Sequence, residues 1–428
     1  MKRTALMLVI AFAAGCLLCG SARASEMDVL LAKLVEKGIL TPNEAQIVGA
    51  EAKQVAAKEL AKGEAVTAPS WTQKVKMKGD VRFRTQTDWG KDLGRANQRL
   101  RQRVRARIGV EGKVNDQISG GVQIATGSDA SPTSTNQTLQ DDFSKKAVWF
   151  DKIYVDWKPK LTAGMGDVNV TGGKFTNPLT TTELMWDSDI NPEGLAISYS
   201  SPLFFEDSYP TTFYSNGAYF WLDESAGYEA DPMCWVLQGG FKTLINEDWG
   251  STLDGSVAYY DFANMVGKTM DWSQWTNDGR KFNNIDLILK LDNKKFLDHD
   301  LPWGLYFDYN VNTAVNYQKA YMLGSYLGKK SPKDTGDWKV FFEWRYLDID
   351  SIFDVLPDSD FSGFDRMGNP KGGGTNTKGI NIGLQYALLK DTVLALKYNY
   401  TTPLEVTKSG RYEDSARQLF QADVNVKF

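Results

Sequence analysis

The last nine residues, Phe420-Gln421-Ala422-Asp423-Val424-Asn425-Val426-Lys427-Phe428, decide how the fold is read. Successive side chains of an extended strand point to opposite sides. Phe420, Ala422, Val424, Val426 and Phe428 therefore share one face, and Gln421, Asp423, Asn425 and Lys427 share the other. A strand with acyl chains on one side and water on the other must show this pattern. It recurs upstream in Ile285/Leu287/Leu289/Leu291, Val340/Phe342/Trp344/Tyr346, Ile380/Ile382/Leu384/Tyr386 and Leu394/Leu396/Tyr398/Tyr400. A soluble sandwich also alternates, but it does not usually carry large apolar and aromatic residues on one face of nearly every strand.

Working outward from that segment, the pattern of two runs from Trp71 to the end of the chain. It predicts strands near 74–86, 99–113, 117–126, 147–158, 161–174, 194–201, 211–222, 233–244, 251–262, 284–292, 303–314, 320–328, 338–348, 378–387, 392–402 and 417–428. Short turns (114–116, 158–160, 389–391) follow even-numbered segments, and long polar loops (87–98, 127–146, 175–193, 263–283, 349–377) follow odd-numbered ones. Outer-membrane barrels have short periplasmic turns, long outer loops and an even strand number. The expected fold class is all-β, a transmembrane antiparallel up-and-down β-barrel of about sixteen strands. A short N-terminal periplasmic α-helical hairpin would precede it.

The chain's composition agrees. Its 428 residues include 13 Trp, 18 Tyr and 21 Phe, amphipathic or apolar rings that suit a membrane–water interface. Beyond the first twenty residues no apolar run reaches the roughly 20 that a membrane-spanning helix needs. A net charge of −4 implies no attraction to nucleic acid. The single histidine, His299, lies in a Leu297-Asp298-His299-Asp300 turn, which excludes a multi-histidine metal site and disfavours a histidine-based triad. No enzyme and no cofactor are expected. Cys234, near a strand start, is expected to be inert.

The N-terminus indicates export. Lys2 and Arg3 precede an apolar stretch from Leu6 to Leu18, and Ala22-Arg23-Ala24 offers a small-x-small cleavage site, so residues 1–24 read as a signal peptide. Acylation at Cys16 is the rival reading. Residues 25–63 read as the helical hairpin: Leu30, Leu31, Leu34 and Val35 recur on one helix face, Gly38 stops it, and Thr41-Pro42-Asn43-Glu44 forms a capping box that opens a second helix. The hairpin is either a periplasmic spacer or an oligomerisation or cell-wall contact. Residues 64–70 are the linker, and 71–428 the barrel.

Basic residues line up in the first two strands. With Leu100, Val104, Ala106 and Ile108 facing lipid, Arg99, Arg101, Arg103, Arg105 and Arg107 face the lumen, joined by Arg82 and Arg84 and, lower down, by Lys74, Lys76 and Lys78. Residues two apart lie about 6.8 Å apart, so the column spans roughly 27 Å. Neighbouring pairs repel by about 0.6 kcal/mol in water. The opposite register would cost up to roughly 2–4 kcal/mol for each guanidinium placed in lipid. The arginines must therefore face inward.

Leu161-Thr162-Ala163-Gly164, Lys174-Phe175-Thr176-Asn177-Pro178 and Trp186-Asp187-Ser188-Asp189-Ile190-Asn191-Pro192-Glu193-Gly194 form a strand–loop–strand pattern closing on a Pro-Glu-Gly turn. With the hairpin from Leu31 to Ala45 and the final Phe428, the chain resembles the β-barrel porin family of Gram-negative outer membranes and, more loosely, the phosphate-selective porins. The resemblance implies passive diffusion of small hydrophilic solutes or anions through a water-filled pore. By likeness to general-diffusion porins it implies that the third outer loop folds inward, so that Arg101, Arg103 and Arg105 face Glu183, Asp187 and Asp189, with Glu193 nearby. The alternative is a solvated inner face with that loop outside. The final strand resembles the signal read by the barrel-assembly machinery, carried by Phe420, Val424, Val426 and Phe428. The implied partners are outer-membrane lipid and that machinery, and both a homotrimer and a monomer fit. A rival function is a barrel sheath around multihaem cytochromes, whose haem would belong to the partner because the chain has no C-x-x-C-H site. An adhesin or receptor built on loop 349–377 is a third reading.

Overall fold

The computed structural model describes Thr41 and residues 74–428, apart from 91–97, 129–130, 162–163, 204–209, 226–229, 267–268, 271–274, 277–278, 298, 317, 366–372 and 407–415. The signal peptide, the linker and, Thr41 excepted, the helical hairpin lie outside the described residues.

Among the described residues sixteen strands are eight residues or longer: β1 (Val75–Gly90), β2 (Gln98–Lys113), β3 (Ile118–Thr126), β4 (Val148–Trp157), β5 (Asp167–Lys174), β6 (Glu193–Leu203), β7 (Thr211–Trp221), β8 (Met233–Asn246), β9 (Ser251–Ala263), β10 (Phe282–Asn293), β11 (Trp303–Asn312), β12 (Gln318–Gly328), β13 (Trp338–Leu347), β14 (Thr377–Leu389), β15 (Thr392–Pro403) and β16 (Arg417–Lys427). Each pairs antiparallel with the next. β1 pairs with β16 from Asp80↔Lys427 to Gly90↔Arg417 and closes the cylinder. Gly79 and Phe428 extend that seam with two backbone bonds of 2.8 and 3.0 Å. The alternation read from the sequence thus becomes an all-β closed barrel with no free sheet edge.

One strand departs from expectation. β5 begins at Asp167 rather than near 161, because Gly164 and Gly166 sit at φ +89° and +78°, outside extended geometry.

Side chains sort as the period demands. Val81, Phe83, Leu100, Ile108, Leu237, Val257, Leu289, Phe342, Ile382 and Val424 are exposed on the outer face, where lipid would cover them. Arg84, Arg105, Asp308, Arg345, Asn381 and Gln421 are buried on the inner one. The inner wall is not uniformly polar, however. Ala218, Phe220, Cys234, Val236, Tyr260, Phe262, Phe282, Met322 and Leu347 form an apolar patch inside the barrel, and Cys234 is buried within it.

A three-strand device recurs on the inner wall. Tyr306 of β11 lies over Gly324 of β12, and its hydroxyl donates to Glu343 of β13 at 2.6 Å; the three residues occupy one cross-strand row. The same arrangement joins Tyr154, Gly121 and Glu111, and Tyr326, Gly304 and Asp292; Tyr214 likewise lies over Gly240 but donates to Asp254, two residues off the row, since Gly240 faces Ser256. A Cβ at position 324 would stand 2.1 Å from the Tyr306 ring, well inside van der Waals contact. Gly324→Ala is therefore expected to lower stability by about 1–3 kcal/mol. Thermal unfolding in detergent would read this loss, and Tyr306→Ser in the same chain should recover part of it.

Candidate functional site

Two loops fold into the barrel: L3 (175–192) and L7 (348–376). L3 buries Phe175, Leu179, Leu184, Met185 and Trp186 against the apolar patch, and L7 buries Ile352, Phe353, Leu356 and Phe361 there. Each fully buried side chain contributes about 1.5–3 kcal/mol, which is enough to hold both loops in place. Polar anchors fix their register. Thr180 N donates to Gln238 Oε1 (2.8 Å), whose Nε2 donates back to Thr180 O (2.7 Å). Lys290 Nζ donates to Thr181 O at 3.2 Å, and Thr182 bonds Asp308. For L7, Asn284 Nδ2 donates to Ser351 O (2.7 Å) and Asn312 Nδ2 to Asp350 O (2.9 Å).

The loops meet along a seam. Asp187 N donates to Leu356 O (2.6 Å), Asp358 N to Glu183 O (3.1 Å), and Ser359 N to Asp187 Oδ2 (2.9 Å). Against this seam lies a cavity of about 580 Å³. Its walls include Arg82, Arg84, Arg101, Arg103 and Arg417 from β1, β2 and β16, Lys339, Glu343 and Arg345 from β13, Lys397 from β15, and the loop acids Glu183, Asp187, Asp189, Asp358 and Asp360. A second cavity of about 540 Å³ is lined by Asp80, Arg105, Arg107, Lys330, Lys333, Asp391 and Lys427 among others, and Arg82, Lys339 and Gln385 line both.

The arginines are neutralised chiefly by neighbouring strands. Arg84 forks onto Asp423 at 2.8 and 2.9 Å and approaches Asp360 at 3.5 Å. Arg105 and Arg107 share Asp80, each at 2.7 Å, and Arg101 and Arg417 share Asp88 at 2.9 and 2.7 Å. Arg82 donates to Asn425 at 2.7 Å and lies 3.5 Å from Asp423. Arg103 has only neutral acceptors: Ser134 Oγ and Asn136 O at 3.2 Å, and Gln86 Oε1 at 3.4 Å. Arg99 is exposed near one end of β2.

Arg101 and Arg103 share the 580 Å³ cavity with Glu183, Asp187 and Asp189, while Arg105 lines the second cavity. Only Asp189 approaches the column, 3.9 Å from Arg105 and 3.7 Å from Arg107. Glu183 and Asp187 turn to L7, which stands where the sequence reading placed open lumen. Glu193 pairs with Lys174 at 2.8 Å on an exposed stretch. At the seam of β1 and β16, Phe420, Val424 and Val426 fall on one face of the closing strand.

The missed residues are those of L7 and the strands behind it. Arg345, 1% exposed, bonds Glu343 and Asp358 (2.9 Å to the latter) and stacks on Phe361 at 4.8 Å. Lys397 lies 3.4 Å from Asp358 and 3.8 Å from Asp360. A signal existed: Ile352, Phe353, Leu356 and Phe361 are too apolar for a loop left in water.

Charge at the seam is frustrated. Burial and then the Asp358 carboxylate push Glu183 up to about 7, despite Lys397 and Arg345. Burial, Asp358 and Glu183 push Asp187 up to about 8. Burial opposes ionisation of Asp360 too, but Arg84 and Lys397 hold it well below the usual carboxylate range. For Glu183 and Asp187 the folded state holds its proton more tightly than the unfolded chain does. Their contribution is complete below the ordinary carboxylate range and declines as pH rises toward about 7–8. Unfolding in detergent should become easier by up to roughly 3 kcal/mol between about pH 5 and pH 8. Glu183→Gln should flatten that slope.

A family model described as "Putative porin" matches residues 91–286 and 273–428, more than half of the chain. Among solved structures, Salmonella typhi OmpF in complex with daunomycin is 12% identical, covering 83% of this chain and 97% of that one, with a TM-score of 0.46. The outer-membrane channel DcaP of Acinetobacter baumannii gives 12%, 83%, 97% and 0.45. A mutant porin of Rh. blastica gives 9%, 83%, 100% and 0.42. No curated protein matches the chain.

Proposed function

The chain belongs to the family described as putative porin, which makes it an outer-membrane channel protein, and from that premise we propose that it passes small hydrophilic anions by passive diffusion. The observation that carries the charge preference is the imbalance around the inner cavities. The 540 Å³ cavity has seven basic side chains (Arg82, Arg105, Arg107, Lys330, Lys333, Lys339, Lys427) against two acids, Asp80 and Asp391. A low-dielectric wall focuses such an excess into a potential that concentrates counter-ions of opposite sign. Rings and walls of charge of this kind set ion preference in channels. Diffusion needs no chemistry from the protein. The walls offer donors that replace part of the anion's hydration, held apart by fixed acids so that no single site binds tightly.

The two folded-in loops weigh against a sheath around a cytochrome. They pack on the apolar patch of the inner wall, and cavities of about 580 and 540 Å³ are far too small for a haem protein. Phe420, Val424, Val426 and Phe428 remain our proposal for the segment that engages the assembly machinery.

Refolded protein in a planar bilayer should conduct, and a salt gradient should reveal chloride favoured over potassium. Arg103, which like Arg99 has no carboxylate partner among the described residues, faces the 580 Å³ cavity. Arg103→Glu should lower the chloride-to-potassium permeability ratio severalfold. An unchanged ratio would remove Arg103 from the pore.

A further inference from the structure

We infer that Lys339 is the side chain that selects solute charge where the two inner cavities meet, and that it favours small oxyanions such as carboxylates or phosphates. The inference rests on the channel reading above and deepens it. Three side chains line both cavities: Arg82 of β1, Lys339 of β13 and Gln385 of β14. They therefore stand where the two cavities adjoin. Gln385 is the direct cross-strand partner of Lys339, so an amide and an ammonium sit side by side.

Lys339 is not neutralised there. The two acids whose charge acts on it, Glu343 and Asp292, are already engaged. Glu343 binds Arg345, accepts from the Tyr306 hydroxyl at 2.6 Å and accepts from Asn381 at 2.8 Å. Asp292 accepts from the Tyr326 hydroxyl and from Lys330 Nζ at 2.7 Å. Among the described residues no carboxylate lies within ion-pair distance of the Lys339 ammonium. Instead it is placed 5.5 Å from the Tyr326 ring centre and 5.3 Å from that of Phe341. Ring faces orient a cation without cancelling its charge or filling its three donors. Arg82, four strands round the wall, has among the described residues one close polar partner, Asn425, and only a distant share of Asp423, which Arg84 holds. Two cations from strands well apart on the wall thus address one gap. A guanidinium fork together with an ammonium suits an oxygen-bearing anion better than a spherical halide.

Reversal potentials in a potassium chloride gradient, then in potassium acetate and potassium phosphate, test this in wild type, Lys339→Gln, Lys339→Glu and the exposed turn variant Lys158→Glu. The inference expects anion preference in wild type, greater for acetate or phosphate than for chloride. It expects a graded loss through Lys339→Gln to Lys339→Glu, severalfold in permeability ratio for the latter, and no change in Lys158→Glu. A second measurement guards against misfolding. Lys339→Cys should react with water-borne thiol reagents in the open channel, while wild type, with Cys234 buried, should not. A negatively charged adduct should then reduce anion passage more than a positively charged one. If wild type conducts with anion preference but Lys339→Glu matches it, or if the cysteine is unreactive, the role of Lys339 is overturned and the channel reading stands. A chloride preference equal to that for acetate and phosphate would overturn the oxyanion class. If wild type does not conduct at all, the reading on which the inference rests fails first.

Discussion

Every backbone N–H and C=O placed in hydrocarbon must find a partner inside the protein, and the contact between β1 and β16 meets that demand for the last open edges. Everything else follows from this closure. It brings the first and last strands into one ladder, fixes a continuous register around the wall, and forces each side chain to face either lipid or lumen. The polar residues of β16 then have one destination. Asp423 comes to Arg84, Asn425 to Arg82, and Arg417 to Asp88, three contacts between residues more than three hundred positions apart.

That geometry explains how so many guanidinium groups can line one wall. Their repulsion is met chiefly within the wall, by Asp80 and Asp88 of the same sheet and by Asp423 across the seam, with Asp189 of L3 and Asp360 of L7 standing farther off. The folded-in loops do a different task. Their apolar side chains cover the greasy inner patch, and Asp358 and Asp360 come to Arg345 and Lys397. The basic excess is left around the second cavity, where Asp189 is the L3 acid that comes near Arg105 and Arg107. Under the proposed function, this chain separates the structural neutralisation of its arginines from the charge it would present to a solute.

The strands were legible because period two is a local property that needs no knowledge of partners. The arginine column was legible for the same reason, since five guanidinium groups could not face lipid. The partners of those arginines were not, because they depend on register between distant strands: nothing in the neighbourhood of Arg84 points to Asp423. L7 was missed although Ile352, Phe353, Leu356 and Phe361 stood in plain view, because an apolar loop has no periodicity to announce where it packs. β5 was drawn too early because Gly164 and Gly166 look like strand glycines until their φ angles are known. Lys339 sat within a recognised strand, yet its proposed role rests on the lack of a paired carboxylate among the described residues, which only the tertiary structure can reveal.

The tyrosine rings that lie across glycines carry a consequence for descent. In each row the glycine leaves the volume that the ring fills, and the carboxylate accepts the hydroxyl that the ring delivers, so the three positions share one steric and polar account. Mutational drift at such a row must proceed in concert: a side chain gained on the middle strand has to be matched by a smaller residue on the first, and the acid on the third then loses its donor. Across related genes, Tyr306, Gly324 and Glu343 should therefore be inherited as a linked trio, and so should the two other rows built the same way.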